Sequence, residues 1–88
     1  MNERLASARE QIDAVDREVL AALNRRLDLV RGLHAYKQET GLPLIDPGRE
    51  ESMLTLLQAA NDGSMSDEGI ADLLRFLLDL TRKEIHGR

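Results

Sequence analysis

Residues 3–40 read ERLASAREQIDAVDREVLAALNRRLDLVRGLHAYKQET, a run with no proline and a single glycine, Gly32. Leu5, Ala8, Ile12, Val15, Val19, Ala22, Arg26, Leu29, Leu33 and Tyr36 step through it at alternating intervals of three and four, a sustained heptad repeat of helical period. Leu20, Leu23, Leu27 and Val30 widen the stripe, as in a helix that touches more than one neighbour. At about 1.5 Å per residue such a run makes a rod of roughly 55 Å. A compact globule of this chain length has a radius of gyration of only about 12 Å, so the rod protrudes. The alternative is a break near Gly32 that folds the rod into a hairpin; a mid-helix glycine costs only about 1 kcal/mol, and no turn residues flank this one.

Outward from the rod, Gly41-Leu42-Pro43 is a helix stop followed by a short extended segment. Asp46-Pro47 then supplies an N-cap and a first-turn proline for a second helix carrying Met53, Leu54, Leu56, Leu57 and Ala60, which ends at Asn61-Asp62-Gly63. Ser66, followed by Asp67 and Glu68, opens a third helix in which Ile70, Leu73, Leu74, Leu77, Leu78, Thr81 and Ile85 recur at helical spacing. The expected fold is all-α, with three helices per chain, one of them very long. Two shorter helices of about 15 and 20 residues cannot cover both ends of the long apolar stripe. A partner must do so, and the economical solution is a homodimeric helical bundle in which the two long helices pair and the shorter helices close around them.

Composition narrows the function. Twelve Lys+Arg against sixteen Asp+Glu leave a net charge of −4, which disfavours a nucleic-acid or anionic-membrane partner. The chain has no cysteine, and its two histidines, His34 and His86, are too few and too far apart for the usual zinc clusters, so no metal site is expected. Neither a signal peptide nor a membrane-length apolar run is present, and the expected location is cytoplasmic. Hydrophobic residues are 42% of the chain, yet only Tyr36 and Phe76 are aromatic, a composition suited to aliphatic helix packing.

The polar residues that interrupt this pattern are the candidates for function. Arg26 sits on the heptad stripe, where an unpaired guanidinium carries a large desolvation cost and calls for an anionic partner. Lys37, eleven residues later, points within about 20° of the same direction at 100° per residue. Arg9 points about 100° away from Arg26 and is better placed for a neighbour's pocket than for its own. Asp46, Arg49 and Glu50, at i, i+3 and i+4, form one polar edge at the start of the second helix. Taken singly, Arg9, Lys37, Arg49 and Glu50 read as solvated surface charges and Asp46 as an ordinary cap. Together, four cations against two carboxylates leave two positive charges, which a dianion balances.

With these residues in place, the sequence resembles the all-helical chorismate mutase family. The resemblance is carried by Ala8-Arg9-Glu10-Gln11-Ile12-Asp13, Asp16 to Leu20, Leu23-Asn24-Arg25-Arg26, Tyr36-Lys37 and Leu44-Ile45-Asp46-Pro47-Gly48-Arg49-Glu50, and it weakens after about Gln58. It implies a single helical domain over residues 1–88, forming a homodimer that rearranges chorismate, a small dicarboxylate, to prephenate in aromatic amino-acid biosynthesis without a cofactor. It further implies an intertwined homodimeric helical bundle in which Arg9 enters the partner's site to bind a substrate carboxylate, Arg26 and Arg49 from the same chain help bind the substrate's carboxylates, Lys37 donates to the ether oxygen and a carboxylate, and Asp46 and Glu50 hold the ring hydroxyl. Arg26, Lys37 and Glu50 are the expected catalytic residues.

In the third helix, family members present a hydroxyl residue and, four positions later, a Gln or Glu donating to the ether oxygen. Thr81 and Ile85 align there, and Ile85 donates nothing; Glu84 and His86 lie about 100° to either side. The chain is therefore expected to be a weak enzyme alone, or one whose last turn is reshaped by a partner, as in members that dock onto the synthase opening the shikimate pathway. Three other readings stay open: a mutase acting on 4-amino-4-deoxychorismate, an isochorismate pyruvate lyase, and a non-catalytic docking or regulatory dimer, which Ile85 favours.

Overall fold

A computed structural model describes residues 2–43, 46 and 48–85. Among them are three helices, α1 (Glu3–Thr40), α2 (Arg49–Ala60) and α3 (Asp67–Ile85), and no strand. α1 begins where the Asn2 side chain accepts from the Leu5 N–H at 3.0 Å, satisfying one of the first-turn donors that no helix satisfies internally. It runs through Gly32 without a break, so the hairpin alternative does not occur. It ends where Gly41 takes a left-handed φ of 72° and turns its N–H back to the Lys37 carbonyl, joined by Leu42 N–H at 3.0 Å. Any residue with a Cβ is strained at that φ.

The second helix starts later than the sequence pattern predicts. Its first residue is Arg49, its N-cap is Gly48, and no side chain caps it. Asp46 instead folds its own turn: its Oδ1 accepts from Gly48 N–H at 3.2 Å and its carbonyl from Arg49 N–H at 3.1 Å, an Asx-turn that competes with helix capping. Pro47, expected as the first-turn proline, lies outside the described residues, as do Leu44, Ile45 and His86. The start of α3 is as expected, Ser66 Oγ accepting from Gly69 N–H at 3.0 Å and the Ser66 carbonyl from Ile70 N–H at 3.0 Å.

α3 packs on both other helices. It contributes the two most enclosed apolar side chains, Ile70 and Leu74, at 4% and 5% exposure. On α1 the partly covered face is Leu23, Arg26, Leu27, Val30, His34 and Lys37. These are largely the residues that widen the stripe, not the stripe itself. Apart from Arg26, the heptad positions remain bare, from 46% exposure at Leu5 to 75% at Leu29, with Ile12, Val15 and Val19 between. The chain measures 60 × 24 × 20 Å with a radius of gyration of 16.9 Å, well above the compact expectation of about 12 Å. Among the described residues, no helix is long and apolar enough to cross a membrane.

Candidate functional site

Where the second half of α1 faces the start of α2 and the end of α3, a hollow of about 270 Å³ opens to solvent. α1 lines it with Arg26, Val30, Leu33 and Lys37, spaced by four, three and four residues and so lying on one helical face. The turn before α2 adds Asp46, the first turns of α2 add Arg49, Glu50 and Met53, and α3 adds Leu78, Thr81 and Arg82. The helix stop at Gly41 is what folds the chain back so that Asp46, Arg49 and Glu50 come to face Arg26 and Lys37.

Six of the eight residues expected at a site therefore meet: Arg26, Lys37, Asp46, Arg49, Glu50 and Thr81. Arg9 does not. It is exposed on the first half of α1, and the 17 residues that separate it from Arg26 place it about 25 Å along the helix. Ile85 is the last residue of α3, partly exposed and absent from the lining, and Glu84 beside it is exposed.

The polar contacts inside the hollow are few and asymmetric. The part-buried Arg26 donates from Nη1 to Thr81 Oγ1, whose own hydroxyl donates to the Leu77 carbonyl at 2.7 Å. The anionic partner that its position calls for is not supplied by the described residues. Among the described residues, no carboxylate lies within 4.0 Å of the side-chain nitrogens of Arg26, Lys37 or Arg49. Glu50 is paired instead with Arg82, Nη2 to Oε2 at 3.3 Å, while Arg82 Nη1 reaches Asp79 at 2.9 Å. With four cations (Arg26, Lys37, Arg49, Arg82) and two carboxylates (Asp46, Glu50) on its walls, one chain's hollow carries two net positive charges. No group of three or more His, Cys, Asp and Glu suited to a metal ion occurs among the described residues.

Arg82 is the lining residue that sequence reasoning missed. Its signal was present: it follows Leu78 by four residues, and side chains four apart share a helical face. An exposed arginine beside a lysine near a helix end reads, however, as an ordinary charge favouring the C-terminal dipole.

Residues 8–85 match the family described as chorismate mutase type II. The chain belongs to that family. Chorismate mutase from Thermus thermophilus, in its form II structure, superposes with a TM-score of 0.87 at 36% identity, covering 98% of both chains. The T-protein of Haemophilus influenzae is 36% identical over 74 residues, which is 83% of this chain but 20% of that protein. The chorismate mutase of Methanocaldococcus jannaschii is 35% identical over 51 residues, 58% of this chain and 52% of that one. The chain thus spans a fifth to a half of the length of these two curated relatives, whereas it matches the Thermus chorismate mutase from end to end.

Proposed function

We propose that the chain is a chorismate mutase, an isomerase that converts chorismate to prephenate at two equivalent sites of a homodimer. The observation that carries this reading is the hollow in which Arg26, Lys37 and Arg49 converge with no carboxylate of the described chain in ion-pair reach. Such a chamber is prepared for a doubly negative ligand, because the partly covered Arg26 and Lys37 and the exposed Arg49 on one wall attract an anion that no described carboxylate replaces.

A pericyclic rearrangement needs no nucleophile and no proton shuttle. The protein has to hold the enolpyruvyl side chain over the ring and stabilise the negative charge that develops on the ether oxygen. In this reading the forked guanidinia of Arg26 and Arg49 bind carboxylates in two directions at once, and the Thr81 hydroxyl keeps Arg26 in place. Lys37 donates to the ether oxygen. Asp46 and Glu50 accept from the ring hydroxyl. Arg9 of the second copy completes each site; its distance from its own chain's hollow and the bare heptad stripe of α1 both support an arrangement in which long helices pair.

The remaining parts of the proposal are that residues 1–88 act as one helical domain in the cytoplasm, that the pathway served is aromatic amino-acid biosynthesis, and that Ile85 leaves the enzyme slow until a shikimate-pathway synthase reshapes its last turn. Assays with chorismate, isochorismate and 4-amino-4-deoxychorismate side by side test the reading. Prephenate formed from chorismate is the expected result; turnover of only one of the other two overturns the choice of substrate. The docking-module reading, favoured by Ile85, predicts no thermal stabilisation by a bicyclic dicarboxylate transition-state analogue at any concentration.

A further inference from the structure

We propose that Arg82 tunes the hollow to a ring bearing a neutral hydroxyl rather than an ammonium, acting through the carboxylate of Glu50; this rests on the preceding reading, in which Glu50 meets the ring substituent. The guanidinium is held at two points by different nitrogens. Nη1 is tied to Asp79, three residues back on the same helix, and Nη2 is thereby aimed across to Glu50 on α2. The Asp79 side chain is 73% exposed and does not line the hollow, so water screens its charge. Glu50 is on the wall, and the cation it meets is the nearest charge to it there.

Two consequences follow for a ligand. A carboxylate already paired with a guanidinium keeps lone pairs to accept from a hydroxyl, which brings no charge. An ammonium at the same carbon gains less from a carboxylate whose charge is already offset, and it meets the repulsion of Arg82 behind it. Discrimination between the two substituents is therefore set by a residue that touches neither. Arg82 is a positioning and charge-balancing residue.

The test compares chorismate with 4-amino-4-deoxychorismate, both by kcat/KM and by calorimetric binding, in the full chain and in Arg82→Gln, Glu50→Gln and the double variant. Arg75→Gln serves as the control, since Arg75 makes a similar exposed pair with Asp72 on the same helix outside this hollow. Removing Arg82 is expected to shift the preference toward the amine by roughly two- to fivefold, the upper part of the range for a half-exposed charge pair. The shift is expected to vanish in the Glu50→Gln background, and Arg75→Gln is expected to leave the preference where it was. An unchanged preference in Arg82→Gln, or an equal shift without Glu50, overturns the inference. Absence of turnover with both compounds in the unaltered chain would instead strike the catalytic reading, while the binding ratios still decide the role of Arg82.

Discussion

Replacing Arg26 with alanine separates what the residue does for the fold from what it does for a ligand. In the empty chain its partner is a neutral hydroxyl, and Thr81 keeps its bond to the Leu77 carbonyl at 2.7 Å when the guanidinium goes. Stability therefore loses one hydrogen bond of about 1 kcal/mol, offset in part by removal of a half-buried charge. In the proposed complex the same guanidinium faces a substrate carboxylate in a partly covered hollow, where truncating one partner of such a pair costs about 2–5 kcal/mol. At about 1.4 kcal/mol per tenfold, kcat/KM for prephenate formation is expected to fall by roughly 30- to 4000-fold. Steady-state kinetics and a urea titration on the same preparation measure both quantities. A kcat/KM within about fivefold of the parent, or a stability loss above about 3 kcal/mol, would show that Arg26 is a structural residue and refute the reasoning.

Two further predictions concern the ends of the argument. Ile85→Gln restores the donor that the third helix lacks, and turnover is expected to rise on the order of tenfold to 100-fold in the chain without any partner protein; unchanged kinetics would mean that Ile85 does not face the ether oxygen. Val15→Asp combined with Val19→Asp places two charges on the bare stripe of α1, where the parent residues are 54% and 51% exposed in one chain. Light scattering is expected to report a monomer that has lost activity, because each valine buried at a dimer contact contributes about 1.5–3 kcal/mol and both are replaced in each copy. A dimer of full activity would place the contact elsewhere.

How much of this was legible in the sequence differs from element to element. α1 was legible because alternating three- and four-residue steps uninterrupted by proline admit no other regular structure, and its end was marked by Gly41, which takes the left-handed φ. The start of α2 was not, because Asp46 has two competing uses for one carboxylate, and its bond to Gly48 serves the turn instead of the helix. On α1 the heptad and the residues that widen it marked one broad apolar face, of which its own chain covers the Leu23, Leu27 and Val30 side and Arg26 while leaving the other heptad positions exposed. Periodicity identifies apolar faces without saying which neighbour takes which. Arg26 was found because a guanidinium interrupts an apolar stripe, Lys37 because it shares that face, and Asp46, Arg49 and Glu50 because they form one polar edge; Thr81 came from the family resemblance alone. Arg82 was missed because what distinguishes it, the pair with Glu50, spans 32 residues and exists only once α2 and α3 are packed.

The most direct test of the shared site is subunit mixing. In the proposed homodimer Arg9→Ala and Arg26→Ala are each expected to damage both sites of their own dimer, whereas a mixed dimer would hold one site with Arg26 from one chain and an intact Arg9 from the other. Unfolding the two inactive variants together and refolding them at equal concentration is expected to restore about a quarter of the parent activity, since about half of the dimers are mixed and each has one working site. Activity that stays at the level of the separate variants would contradict the account, because a hollow that draws all its cations from one chain gains nothing from exchange.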